Sequence, residues 1–241
     1  MALPPGQRRA PWFPRFGAGL DQPPPSVPAD PSLTIRADGL APLSISIWEL
    51  AALPHREIVA DLHCVAGWSA IGLRWEGVPF RDFYQKLVEP ALPPQARPAY
   101  VVFEGLDTFR SIVLLEDALL DDVLLAETLN GQPLTPEHGA PLRLVSPQQY
   151  GFVSTKHLCA IELHAVEPAG VYHRGRKEQR ALRMVRPHRR ARVWREERHR
   201  YVPGRLLRGI YALAIPSRLR KTLVDEVGDT AGEAGKTTSA G

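Results

Sequence analysis

One cysteine in this chain stands where a thiol can do work. The stretch Asp61-Leu62-His63-Cys64-Val65-Ala66-Gly67-Trp68-Ser69 runs an alternating, strand-like segment into a glycine turn, with Cys64 at the junction. A strand that ends in this way delivers its last side chain to the rim of a pocket. The thiolate is both a nucleophile and a soft metal ligand. A nucleophile needs a base within hydrogen-bonding reach. His63 is the sequence neighbour, but successive side chains of a strand point to opposite faces, so these two do not form the dyad. A third reading is a buried thiol acting as a small apolar residue. Cys159 fits that description, on a predicted face with His157, Ile161 and Leu163. A Cys64–Cys159 disulfide is not expected in a reducing compartment.

A second constellation lies downstream. His138-Gly139-Ala140-Pro141-Leu142-Arg143 is followed by Tyr150-Gly151-Phe152-Val153-Ser154-Thr155-Lys156. A loop offers a histidine and a glycine, a strand offers an arginine, and the next loop offers glycine, serine and lysine. Arg143 is suited to forked bonds to phosphate oxygens, and Lys156 to supplying a point charge. Ser154 and backbone N–H groups would complete the cradle. An arginine and a lysine near a glycine turn are more often simply solvated, so this constellation alone is a weak signal.

Five segments in order carry a resemblance. Cys64-Val65-Ala66-Gly67-Trp68-Ser69, Trp75-Glu76-Gly77-Val78-Pro79, Phe103-Glu104-Gly105, His138–Arg143 and Tyr150-Gly151-Phe152 resemble the sulfite oxidase-like, molybdopterin-dependent oxidoreductases, over about residues 10–167. The resemblance implies an α+β fold, the sulfite oxidase-type molybdopterin-binding domain of mixed β-sheets with short helices. It implies a molybdopterin cofactor and two-electron oxygen-atom transfer on a small substrate such as a sulfoxide or oxyanion, with electrons exchanged through a separate carrier. Position by position, it places Cys64 as the molybdenum ligand. Gly105, His138, Arg143, Ser154, Thr155 and Lys156 fall at cofactor-binding positions, and the region around Phe13–Gly17 at an arm that anchors the pterin. True sulfite oxidases follow the ligand cysteine with arginines. Here Val65–Ser69 follows, and the pattern is closer to the methionine sulfoxide reductase branch. That branch has threonine at Gly105 and asparagine at His138. Many relatives carry lysine where Val153 stands, and tryptophan or serine where His157 stands.

The elements that must hold these residues can be read from pattern. Strands are predicted at Leu33–Arg36 and Leu43–Ile47 around an Asp38-Gly39 turn. Ser46 and Glu49 have capping-box spacing for a short helix that Pro54 closes. Ile58, Ala60, Leu62 and Cys64 share one face of the next strand, so the cysteine is expected to point inward. Phe80–Val88 reads as a helix. Tyr100–Phe103 and Phe109–Leu115 read as paired strands, Asn130-Gly131 as a turn, and Leu142–Val145 and Lys156–Val166 as strands. Trp68 is read as packing in preference to lining a cavity. His63 is left between backing the cofactor and bonding the backbone.

Charge divides the chain. Residues 1–170 hold 12 Lys/Arg against 19 Asp/Glu, and residues 171–241 hold 18 against 7. The expected organisation is an extended arm over 1–31, anchored by Trp12, Phe13 and Phe16, and a catalytic domain over 32–170. A basic, partly helical extension over 171–229 and a disordered tail over 230–241 follow. The extension is expected to wrap the acidic body, with Glu196 and Arg200 at i,i+4 spacing. An anionic membrane surface is the next partner considered, through the arginines and Leu206–Ile215. Nucleic acid ranks last, because few aromatics interleave the charges. A scaffold protein that keeps the fold and acts through this tail is the alternative function. Arg8-Arg9 hints at an export signal, but the prolines that follow spoil the apolar stretch such a signal needs, so the expected compartment is the cytoplasm.

Overall fold

The computed structural model describes residues 2–15, 23–169, 171 and 188–210. In chain order its strands are β1 (Arg8–Arg9), β2 (Ser32–Ala37), β3 (Leu43–Ser46), β4 (Arg56–His63), β5 (Trp68–Pro79) and β6 (Tyr100–Gly105). β7 (Arg110–Leu114), β8 (Leu124–Leu129), β9 (Gln132–Pro133), β10 (Arg143–Val145) and β11 (Leu158–His164) follow. Short helices α1 (Ile47–Ala51), α2 (Phe80–Phe83) and α3 (Leu115–Ala118) connect them. This is the expected α+β architecture of mixed sheets and short helices.

One sheet runs β1-β5-β8-β10, with β4 also pairing β5 and β9 pairing β8. The other runs β3-β2-β11-β6-β7. The main core includes Leu33, Ile35, Phe80, Phe83, Phe103, Leu125, Leu144 and Ile161. A second, smaller core gathers Cys64, Trp68, Trp75, Ala126, Ala140 and Val145. The predicted site residues cluster around this smaller core.

Local chemistry explains several elements. Ser46 and Glu49 close a full capping box on α1, worth about 1 kcal/mol. The two-residue link from β8 to β9 is Asn130-Gly131, both at positive φ, as a right-twisted hairpin requires. Phe80–Val88 is helical as expected, but α2 passes at Tyr84–Val88 into a wider π-type turn.

Two paired strands of the first sheet, the long β5 and the shorter β8, were not foreseen. Gly77 shows what their contact demands: a Cβ there would lie 2.0 Å from the Leu125 carbonyl oxygen. Only glycine allows β8 to pass, and the β5–β8 register shifts between Glu76 and Gly77.

The arm is more regular than expected. Arg8 and Arg9 pair in parallel with Trp68 and Ser69 of β5, and the Ala10 N–H donates to the Ser69 carbonyl at 2.8 Å. Phe16 and Gly17 lie outside the described residues, as does the 230–241 tail.

The basic extension wraps the acidic body where it is described. Arg190 pairs with Glu116, and both Arg190 and Arg192 pair with the buried Asp117. Arg189 and Arg200 meet at Glu167. The expected Glu196–Arg200 pair does not form, because residues 196–200 turn instead of making a helix; Glu196 pairs with Arg208 at 2.5 Å. Residues 204–210 are helical, so only the first part of Leu206–Ile215 is described. None of the described helices is long and apolar enough to cross a membrane.

Candidate cofactor site

Cys64 is the first residue of the tight loop joining β4 to β5, one step beyond the strand in which it was expected. The loop is closed by its own backbone. The Cys64 N–H donates to the Trp68 carbonyl at 2.8 Å, and the Gly67 N–H to the Cys64 carbonyl at 2.9 Å. Gly67 adopts φ +98°, which a side-chain-bearing residue would resist. The cysteine points inward, as expected, and is 8% exposed. Its Sγ accepts the Ala66 N–H at 3.4 Å, a bond that favours the anionic form of the sulfur.

His63 is also buried, because the arm and the Tyr150 loop cover the second face of the β4–β5 pair. Its Nδ1 lies 2.7 Å from Ser69 Oγ. Ser69 Oγ donates its only proton to Gln7 Oε1 at 3.0 Å, so His63 Nδ1 carries the hydrogen and donates. Gln7 Nε2 in turn donates to the Cys64 carbonyl at 3.1 Å. Burial holds the His63 pKa below the ordinary value, and the ring is neutral. Its Nδ1 therefore bonds a serine and not the backbone. Gln7 and Ser69 were not singled out from sequence. Nothing marks Gln7 within a proline-rich arm.

The second constellation assembles at the other side of the small core. Arg143 is buried, with Nη1 donating to the His138 carbonyl at 2.8 Å and Nη2 to the Ser154 carbonyl at 3.3 Å. The forked bonds foreseen for phosphate are thus made to two loops of the chain. Its Nε–H is buried without a hydrogen-bond partner among the described residues. Trp75 and Phe13 cover the guanidinium at 5.0 and 5.8 Å, and meet each other edge-on at 5.8 Å. Phe13 is the anchor expected of the arm. Trp75 belongs to the same apolar cluster as Cys64, and Phe13 packs against it.

His138 Nε2 donates to the Phe13 carbonyl at 3.2 Å, and its Nδ1 lies 3.0 Å from Thr135 Oγ1. Burial, with Lys156 and Arg143 nearby, holds its pKa below the usual histidine value. Lys156 Nζ donates to the Glu137 carbonyl at 2.9 Å. Burial first, then the charges of Arg143 and Arg15, pull its pKa down to about 7. Burial pulls Arg143 down to about 9, still charged at neutral pH.

Two glycines clasp Lys156. A Cβ on Gly105 would lie 2.3 Å from the Lys156 carbonyl oxygen, and one on Gly139 would lie 3.0 Å from Lys156 Cβ. Gly105 therefore sets the path of the lysine loop. Ser154 and Thr155 are turned inward. Ser154 Oγ accepts the Ser146 N–H at 3.2 Å, and Thr155 Oγ1 lies 2.7 Å from Ser111 Oγ. Both hydroxyls brace the loop. His157, at φ +53°, sits with Nδ1 2.9 Å from the Ala140 carbonyl oxygen. Val153 is buried in the main core, where a lysine ammonium would have no water.

Cys159 departs from its expected face. A bulge between Leu158 and Ala160 leaves it half-buried, with Sγ 3.5 Å from the Glu104 carbonyl oxygen. Burial and the Glu104 charge push its thiol up to about 11, so it is unreactive. The two cysteines form no disulfide. A surface groove of about 330 Å³ lined by Asp38, Leu92, Arg97 and Leu163 contains none of these residues.

The arrangement has a chemical requirement. Burial and the charges of Arg143 and Arg15 depress Lys156, and the nearby acids Asp107 and Glu137 only partly offset this. Such a cluster suits an anionic group, and a buried Nε–H without a partner is a donor for one. With a buried sulfur at the other side of a shared apolar wall, the residues fit a group that has a soft-metal end and a phosphate end.

Residues 22–172 match the family described as "Oxidoreductase molybdopterin binding domain". The chain belongs to that family. Among curated proteins it is 35% identical over 133 residues to the uncharacterized oxidoreductase YuiH of Bacillus subtilis, covering 55% of this chain and 65% of that protein. It is 32% identical over 158 residues to the protein-methionine-sulfoxide reductase catalytic subunit MsrP of Xanthomonas campestris, covering 59% of this chain and 47% of that protein. The matched stretches thus span between about half and just under two thirds of these relatives (47% and 65%). Among solved structures, the sulfane dehydrogenase SoxCD of Paracoccus pantotrophus aligns with a TM-score of 0.48 and 23% identity, over 56% of this chain and 38% of that one. The resemblance to sulfite oxidase-like proteins, on their methionine sulfoxide reductase side, is borne out, and with it the molybdopterin cofactor.

Proposed function

We propose that this oxidoreductase transfers an oxygen atom, with two electrons, on a small sulfoxide-type substrate. The observation that carries the reading is the pairing of a buried cysteine at a hairpin tip with a buried arginine whose Nε–H has no partner among the described residues and a lysine beside it, in a chain of this family. When bound, the molybdenum cofactor supplies the redox chemistry and the oxygen-atom exchange. The chain's own residues bind, orient and exclude water.

Cys64 is the proposed metal ligand, its sulfur favoured as the anion by the Ala66 N–H. Lys156 and the Nε–H of Arg143 would hold the anionic end of the cofactor. Gly105, His138, Ser154 and Thr155 act through the loops they shape. The segment Val65–Ser69 carries no cation of its own, and the buried Arg198 guanidinium beside it is engaged by backbone carbonyls. A neutral sulfoxide suits such surroundings better than a sulfite dianion, whose burial would demand a partner charge.

Electrons would come from a separate carrier. The cytoplasm is the proposed compartment. The scaffold alternative and the anionic-membrane reading are less well supported. Among the tail arginines through which both would act, Arg189, Arg190, Arg192, Arg200 and Arg208 pair with the chain's own carboxylates.

The test is elemental analysis of protein made in a host competent for the cofactor. Wild type should hold about one molybdenum per chain and Cys64→Ser about none. Reduction of methionine sulfoxide by a reduced viologen should outpace oxidation of sulfite. Metal-free wild type would end the reading, and a strong preference for sulfite would replace the substrate class.

A further inference from the structure

The residue with the deepest hold on the Cys64 loop comes from outside the family match. Arg198 lies in the arginine-rich extension, beyond the matched residues 22–172, and is 0% exposed. Its Nη1 donates to the Val65 carbonyl at 2.6 Å, one residue after the cysteine. Its Nη2 lies 3.4 Å from the Gly6 carbonyl oxygen and 3.5 Å from that of Pro5. The guanidinium sits 5.2 Å above the Tyr150 ring.

Each group it touches flanks Cys64 by another route. Gly6 precedes Gln7, which donates to the Cys64 carbonyl. Tyr150 pairs with His63 as an isolated bridge, and the Gly151 N–H donates to the His63 carbonyl at 2.7 Å. One side chain therefore ties the arm, the loop after the cysteine and the loop beside His63. The strap that delivers it is itself held in place. The Val193 N–H donates to the Gln148 carbonyl at 3.0 Å, the Tyr150 N–H to the Ala191 carbonyl at 2.9 Å, and Gln149 Nε2 to the Arg190 carbonyl at 2.7 Å. The packing is close at Gly6, where a Cβ would lie 2.9 Å from Arg198 Nη2.

We propose that Arg198 is a positioning residue for the Cys64 sulfur. It acts through the Val65 carbonyl and brings a buried positive charge to the loop that carries the metal ligand. The proposal rests on the reading of Cys64 as that ligand. A fixed cation near the ligand favours the more reduced, less positive metal. The rigid carbonyl contact keeps the sulfur aimed. The basic extension is then part of the site as well as a cover for the acidic body.

The experiment compares the full chain with Arg198→Met, Arg198→Lys and Arg190→Met. Arg190→Met loosens the strap at Glu116 and Asp117 without touching the loop. In cofactor-free protein, the rate at which iodoacetamide alkylates Cys64 is read by peptide mass spectrometry, with an added cysteine-containing peptide as the reference. Arg198→Met should raise that rate about tenfold or more, because opening of the loop exposes the sulfur by more than loss of the charge lowers its thiolate fraction, and Arg190→Met should leave it near wild type. In loaded protein, Arg198→Met should lower the molybdenum midpoint potential and alter the EPR signal of the half-reduced metal. Arg198→Lys should recover the potential but not the full protection of the thiol, because an ammonium cannot span the same carbonyls. If Arg198→Met does not fold, Arg198→Lys carries the test through its faster alkylation. Equal rates and potentials in all the proteins would overturn the proposal, as would equal effects of Arg198→Met and Arg190→Met. Metal-free wild type would overturn the reading of Cys64 instead, and the alkylation rates would still judge the contact.

Discussion

The sulfur end and the cation end of the site differ in how their charges are answered. At the sulfur end one buried guanidinium, Arg198, rests on backbone carbonyls and an aromatic face, and neutral groups run from His63 through Ser69 and Gln7 to the cysteine loop. At the cation end Arg143, Lys156 and Arg15 face one another, and Lys156 is pulled down to about 7. The first end is assembled by the chain alone. The second holds a lysine whose charged form is disfavoured by burial first and by Arg143 and Arg15 second, which an anion would relieve. Cofactor binding should therefore change the cation end far more than the sulfur end.

The largest effect expected from a single change tests the clasp around Lys156. Gly105→Thr should destabilise the protein by about 3 kcal/mol, the upper part of the overpacking range, because backbone and not a flexible side chain fills the space. Urea unfolding would measure this, and molybdenum content should fall with it. Full stability would mean that the lysine loop moves freely and that the clasp is not rigid.

Next comes Lys156→Met, which should weaken cofactor retention about tenfold through loss of a charge-assisted contact. It should also change the pH dependence of the cofactor-free protein. The folded pKa of about 7 lies below the unfolded value of 10.5, so between them the unfolded chain binds more protons and stability rises with pH. The penalty is fully present below pH 7 and fades toward pH 10. The melting temperature of wild type should therefore gain on that of Lys156→Met between pH 6 and pH 9. Parallel curves would remove the strain from the cation end and with it the contrast.

Asp117→Asn addresses the sulfur end through its strap. The carboxylate is buried, but Arg190 and Arg192 are about a third exposed, so a loss of about 1–2 kcal/mol is expected, less than for a fully buried pair. Proteolysis within 188–210 should quicken, and more so at high salt. Cys159→Ser should be the smallest change, within about 0.5 kcal/mol, with molybdenum content unaltered.

The cysteine, the capping box of α1, the β6–β7 pair and the Asn130-Gly131 turn were all legible in sequence, because each depends on neighbours a few residues away. β5 was hidden because it is buried at most positions along its length and carries Gly72 and Gly77, which read as turns. Gly77 is explained only by the Leu125 carbonyl opposite. β8 was hidden for a related reason: its apolar start merges with Leu119-Leu120 upstream. The inward hydroxyls of Ser154 and Thr155 depend on Ser146 and Ser111, which no local pattern connects to them. Arg198 was indistinguishable from its arginine neighbours until the fold placed Val65 and Tyr150 beside it.

The second sheet has β11 at its centre, parallel to β2 on one side and antiparallel to β6 on the other. Its middle strand is thus the last one the ribosome delivers. Until residue 164 has emerged, the β2–β3 and β6–β7 hairpins present open edges with no strand between them. Assembly must wait for a contact spanning more than a hundred residues, which makes for slow closure and a vulnerable nascent chain.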